Sequence, residues 1–265
     1  MELISLSPFD LSLAAILVVL LGALSWSLQL GIEKTLFIAA IRSVIQLTLL
    51  GMVLQQVFSQ TSLPLIGLIT LVMLVVAGYE VMARQTRRFS GWWGMGIGTS
   101  SMFISSFSIG ILAVTTIVNV DPWYTPQYFI PLLGMLLGNT MNGIAISLNN
   151  LTRITYDQRG QIEARLMQGH HWHQAILPVR REALKSGLIP IINSMTTAGI
   201  VSLPGMMTGQ ILAGSPPAEA ANYQILILFL IAAGTGLGSL TAVWFGSARL
   251  FDDRQRLRLE RLRNT

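Results

Sequence analysis

Seven long apolar runs, separated by short charged blocks, constrain this chain more than any other feature: residues 11–30, 35–58, 63–82, 94–118, 129–151, 188–212 and 223–246. About 20 mainly apolar residues cross roughly 30 Å of hydrocarbon as a helix. Inside a bilayer every backbone polar group must be paired within the protein, and a single run of this length achieves that as a helix. Composition agrees. Only 11% of the 265 residues are charged, against about 25% in an ordinary soluble domain, too few to cover a globule in water. There is no cysteine, which excludes disulfide scaffolds, zinc ribbons and thiol catalysis. The first run is flanked by Glu2 and Asp10 with no lysine or arginine before it. A secretory signal starts with a basic flank, so a retained helix is expected. The chain reads as all-α, a polytopic membrane protein of about seven transmembrane helices forming a single domain, 1–265.

Charge sets the orientation. With the N-terminus outside, the inside segments are 31–34, 83–93, 152–187 and 247–265, and they carry every lysine and arginine except Arg42. The outside segments hold Glu2, Asp10, Asp121 and Glu219 and no cation. This is the positive-inside pattern, with a cytoplasmic C-terminus. The net charge of +5 therefore reflects a membrane face and not a nucleic-acid partner. Segment 247–265 reads as a charged helix continuing from the last span, held near anionic membrane lipid.

ATP hydrolysis needs a phosphate-cradling GxxxxGK[ST] loop. Lys34 and Lys185 are preceded by Glu33 and Leu184, so neither belongs to one, and any ATPase must be a separate chain. Proton-driven carriers bury several carboxylates in the bilayer. Here the spans hold only Glu80, near the inside end of the third, and Arg42 at similar depth in the second. These two are read as an intramembrane ion pair.

Within loop 152–187, Glu163, Ala164 and Gly169 keep the spacing E-A-x-x-x-x-G, followed by Ile176-Leu177-Pro178. This looks like the EAA loop of ABC-transporter permeases, in which a short helix docks into a groove of the ATPase subunit; Arg165 stands in place of the second alanine. The residues predict a helix ending at Gly169 as C-cap and a second starting near His173. Such a helix–turn–helix can pass a rigid-body movement to its flanking spans; an ordinary amphipathic loop helix fits the same residues. His170, His171 and His173 fall at the turn. Imidazole is a common metal ligand, but adjacent side chains diverge and no local carboxylate completes a set. The expectation is partner docking or surface exposure, with no metal site assigned.

Three stretches carry a wider resemblance: Arg42-x-x-x-Gln46-Leu47, PLLGMLLGN at 131–139 and SLPGMMTGQILAG at 202–214. Together they resemble the FetB (YbbM) family across almost the whole chain. The resemblance implies the permease subunit of a bacterial ABC exporter implicated in iron efflux. It further implies a multi-pass protein of the bacterial inner membrane, not itself an enzyme. ATP and Mg would sit on a FetA-like ATPase partner, with no cofactor in this chain and two copies of each chain in the complex. Plant relatives are associated with aluminium tolerance and with nucleotide-sugar movement, so the family does not fix the cargo.

The sixth run is the odd one, too polar and broken for a lipid-facing helix. Pro204 removes a backbone donor and Gly205 relaxes the chain, so a kink or unwinding is expected at 202–205. Irregular backbone at membrane depth persists only against protein or a water-filled path. The expected path comprises Asn139 and Asn142 of the fifth run with Asn193, Thr197, Ser202, Pro204, Gly205, Met206, Met207 and Gln210 of the sixth. The small residues of the sixth run also fit close packing, as do the GxxxG of Gly134 and Gly138 and the glycine triplets at 94–98 and 234–238. Thioethers such as Met206 and Met207 suit soft ions, whereas hard ferric iron prefers carboxylate or phenolate oxygen. Two other functions fit less well. Export of a small anionic metabolite, such as a nucleotide sugar, has only Arg42 to meet a phosphate. A non-transporting scaffold does not explain the polar fifth and sixth runs.

Overall fold

The computed structural model describes residues 7–58 and 62–264; Glu2 of the acidic flank lies outside them. The chain divides into two compact units, Met1–Thr61 with Leu212–Gly214, and Ser62–Ile211 with Ser215–Thr265.

The first unit is a helix pair, α1 (Pro8–Ser27) and α2 (Glu33–Phe58). A capping box starts α1. Ser7 Oγ accepts the Asp10 N–H at 3.3 Å, and the Asp10 carboxylate accepts the Ser7 N–H at 2.8 Å, which satisfies donors that a helix start leaves open. The helices touch at Gly22, where a Cβ would fall 2.9 Å from Phe37 Cε2.

The second unit holds α3 (Leu63–Ala83), strand β1 (Arg87–Phe89) and α4 (Trp92–Met102). A π-helical turn (Phe103–Phe107), α5 (Ser108–Leu112) and a second π-helical turn (Ala113–Ile117) continue α4. There follow α6 (Pro126–Asp157), α7 (Arg159–Met167), α8 (Trp172–Ala175), α9 (Leu177–Thr197), α10 (Gly205–Leu212, up to Ile211 in this unit), α11 (Pro217–Arg249) and strand β2 (Leu262–Asn264). Proline opens α6 and α11, where its missing N–H costs nothing and its φ is already helical. Helix α6 is the hub, packed by α3, α9 and α11. It buries Leu133, Leu136, Ile144, Leu148 and Leu151. With 32 residues it is about 48 Å long, well beyond the hydrocarbon thickness.

Six helices among the described residues are long and apolar enough to cross a membrane: α1, α2, α3, the α4–α5 run, α6 and α11. The chain is thus an all-α polytopic membrane protein. The expected sixth span differs. It is two pieces, α9 and α10, separated by residues 198–204, and α9 opens with Arg180, Arg181, Glu182 and Lys185. The break is wider than the expected 202–205: the chain leaves the helix at Ala198, which is extended, and Gly199 turns it at a φ of +80°, a conformation that L side chains avoid. Ala198 and Ser202 bridge across it.

The tail is the second correction. No helix continues past Arg249; residues 250–264 fold back, and β2 pairs antiparallel with β1, Arg88 opposite Arg263. The physical reason is Asp252. Its carboxylate accepts the backbone N–H groups of Arg254 and Arg256 at 3.0 and 2.8 Å, and such local bonds compete with helix. The glycine readings also divide. Gly94 and Gly98 are close-packing positions, where a Cβ would fall 2.7 Å from Phe89 O and 2.9 Å from Val81 Cγ1, but Gly96, Gly138 and Gly236 face nothing within 4 Å. The tightest crossing of α6 with α9 lies instead at Gly143 and Gly187, where a Cβ on Gly187 would meet Gly143 O at 2.6 Å.

Candidate functional site

The residues expected along the path separate into two groups. Met206 and Gln210 of α10 line a cavity of about 330 Å³ with Met135, Tyr128 and Gln127 of α6, Tyr223 and Leu230 of α11, and Val114 of the second π turn. Its walls carry no ionised side chain. The Gln210 Oε1 atom is buried there without a hydrogen-bond partner, an acceptor that costs free energy until a donor arrives. Met207 is half-buried on the same helix but does not line the cavity. The second group lies elsewhere. Asn139 is exposed and donates to Met135 O of its own helix at 2.9 Å. Asn142 is also exposed and accepts from the Arg84 guanidinium. Asn193 is exposed on α9, its carbonyl bonded to Thr197 Oγ1 at 2.9 Å. Ser202 sits in the break, where its carbonyl accepts the Gly199 N–H at 2.9 Å. Pro204 ends the break and Gly205 starts α10, and no atom lies within 4 Å of a Cβ built on Gly205.

Met135, Tyr128 and Tyr223 were not expected at the site. They are about one or more helices distant from Met206 in sequence, and only the packing of α6, α10 and α11 joins them. The π turns gave no sequence signal either, although π-helical turns recur at functional sites. Glu80 lies 3.9 Å from Arg84, one turn on, and Arg84 reaches Asn142. Arg42 falls in the first unit and Glu80 in the second.

The helix–turn–helix expected within 152–187 forms as α7 and α8. Helix α7 ends in a Schellman motif: Gly169 at φ +85°, its N–H on Leu166 O at 3.0 Å, and the His170 N–H on Arg165 O at 3.2 Å, which only a residue tolerant of positive φ completes cheaply. Ile162 anchors α7, buried to 1% exposure, while Met167 stands 83% exposed. Arg165 has a local role: its guanidinium donates to Ala175 O at 3.1 Å, tying the end of α8 to α7. Glu163 is exposed and Ala164 half-buried. Glu163 and Gly169 line an open cleft of about 730 Å³ with His170, His171 and tail residues 253–257.

The three histidines diverge as expected. His173 stacks between Trp172, 3.5 Å between centroids, and Trp244 at 5.4 Å. His171 Nδ1 meets Gln255 Nε2 at 3.0 Å, and His170 faces the cleft. Among the described residues, no three His, Cys, Asp or Glu side chains gather as a metal site would require. Segments 83–93, 152–187 and 247–265, which charge assigns to one side, are joined directly: β1 to β2, and Gln255 to His171 and Trp172.

A family model described as "Uncharacterised protein family (UPF0014)" matches residues 8–251. The "UPF0014 membrane protein slr1647" of Synechocystis is 36% identical over 244 residues, 90% of this chain and 92% of that one. The "Probable iron export permease protein FetB" of Escherichia coli is 30% identical over 259 residues, 96% of each chain. "Protein ALUMINUM SENSITIVE 3" of Arabidopsis thaliana is 34% identical over 232 residues, 87% of this chain and 83% of that one. No solved structure matches. An all-α membrane chain with these full-length relatives belongs to the UPF0014 membrane protein family.

Proposed function

We propose that this chain is the membrane permease subunit of an ABC exporter that moves iron or another metal out of the bacterial cytoplasm. A separate ATPase subunit carries ATP and Mg, and two copies of each chain form the complex in the inner membrane. The observation that carries this reading is the α7–α8 helix–turn–helix, with Glu163, Ala164 and Gly169 at E-A-x-x-x-x-G spacing, leading straight into the broken α9–α10 pair. A short helix presented on a turn can receive a partner's rigid-body movement, and α9 would deliver it to the break at 198–204. The name of the E. coli relative supports iron as cargo. In the cavity beside α10, Met135 and Met206 offer thioethers and Gln210 an unpartnered carbonyl. No carboxylate lines the cavity, and the oxygens closest to those a bare ferric ion prefers are the phenols of Tyr128 and Tyr223. Cargo therefore passes weakly held or as a complex, as a conduction path requires release as well as entry. Asn139, Asn142 and Asn193, which are exposed, and Thr197, half-buried, would face the path in the assembled complex and not lipid.

The test is uncoupling. Glu163→Ala and Gly169→Val should lower ATP-driven efflux severalfold while leaving membrane insertion intact, the second because a β-branched residue is strained at φ +85°. Wild-type efflux in both variants would remove the coupling assignment.

A further inference from the structure

Residues 250–264 do more than end α11. Phe251 and Leu257 bridge, Gln255 N–H donates to Asp252 O at 2.8 Å, and Arg258 N–H returns to Leu250 O at 2.8 Å. Asp252 closes this loop, its Oδ2 accepting Nε of Arg256 and of Arg258, each at 2.9 Å. Gln255 stands at the tip at φ +58°, a conformation uncommon outside glycine. From there its side chain crosses to the coupling turn. Oε1 accepts the Trp172 N–H at 3.1 Å, and Nε2 meets His171 Nδ1 at 3.0 Å. The first contact fixes the amide, since only its oxygen can accept from a backbone N–H; Nε2 therefore donates to a proton-free Nδ1. Trp172 opens α8, so its N–H is one that the helix cannot satisfy itself.

The other end of the tail is equally tied. The Arg261 guanidinium donates to Arg249 O at 2.7 Å, a carbonyl that the end of α11 leaves open, and to Phe251 O at 3.1 Å just beyond it. Ser90 N–H donates to Arg261 O at 2.8 Å, extending the β1–β2 ladder toward α4. The tail thus touches the coupling turn, the end of α11 and the connection between α3 and α4.

We propose that the tail is a latch, with Gln255 as its positioning residue. It joins the α7–α8 turn to α11 and to β1, so that a displacement of the turn reaches those elements and not α9 alone. The transmission half of this proposal rests on the reading of α7 as the ATPase dock; the latch itself does not. Two arms test it. The first uses the full-length permease alone in detergent, with amide hydrogen exchange as readout. Gln255→Ala should speed exchange of the Trp172 amide roughly 3- to 10-fold, the loss of one net hydrogen bond. Gln255→Glu, which keeps the acceptor, should restore protection, and amides 144–151 of α6 should be unmoved in both, showing an intact fold. Unchanged exchange at Trp172 in Gln255→Ala would overturn the latch. The second arm uses the permease with its ATPase. Gln255→Ala should lower transport per ATP hydrolysed severalfold while hydrolysis continues, and an unchanged ratio would overturn transmission. If the unmodified chain shows no ATP-driven transport, the permease reading fails and transmission with it, while the exchange arm still decides the latch.

Discussion

Replacing Gly187 by alanine probes the crossing that sets the slope of α9 against α6. The added Cβ would lie 2.6 Å from the Gly143 carbonyl oxygen and would also meet Ser147 Oγ. The serine can rotate, but the carbonyl belongs to the backbone of α6 and cannot yield without moving a helix. Inserting one methyl into such a contact costs about 1–3 kcal/mol, equivalent to a fall of a few degrees per kcal/mol in Tm. Gly138→Ala is the paired control. Nothing lies within 4 Å of its Cβ position, so the helix propensity of alanine, about 1 kcal/mol over glycine, should leave Tm unchanged or higher. Thermal unfolding of the purified protein in detergent measures both. Equal destabilisation by the two substitutions would restore the GxxxG reading of Gly134 and Gly138 and refute the crossing described here; no effect of Gly187→Ala would do the same.

Two further outcomes are expected. Because the chain has no cysteine, Met206→Cys should react with a water-soluble thiol reagent while Leu148→Cys, fully buried in α6, should not; protection of both in every nucleotide state would place the path elsewhere. Backbone N–H donation from Arg256, with the Arg256 and Arg258 guanidinium groups, holds the Asp252 carboxyl well below the usual carboxylate range. A depressed folded value gives stability that is full above the unfolded pKa of about 3.9 and lost only as pH falls further through the folded value. Asp252 should therefore add no pH dependence to proteolytic nicking of the tail above about pH 5 and should loosen it only in stronger acid, whereas Asp252→Asn should raise nicking throughout.

The spans were legible because a bilayer demands one thing of sequence, an unbroken apolar helix, and the runs state it plainly. Their ends were less so. Helix α6 continues to Asp157 and buries Thr152 and Thr155, where hydropathy had already fallen. The tail misled for a different reason. Its Leu and Arg residues are good helix formers, but Asp252 sits where its carboxylate captures the next N–H groups. Of the candidate path, Met206 and Gln210 were legible from the breakdown of helix around Pro204. Their partners Met135, Tyr128 and Tyr223 were not, because contacts between helices leave no spacing in one sequence. Gly143 and Gly187 illustrate the same limit, two glycines meeting from separate helices with no motif between them.

The central claim, that this chain carries cargo under the drive of a separate ATPase, is tested most directly in inside-out vesicles containing both subunits. ATP added outside should drive radiolabelled iron into the lumen, with no uptake when the permease is omitted and none for a UDP-sugar offered in parallel. ATP hydrolysis without iron uptake, or uptake of the sugar instead, would contradict the account.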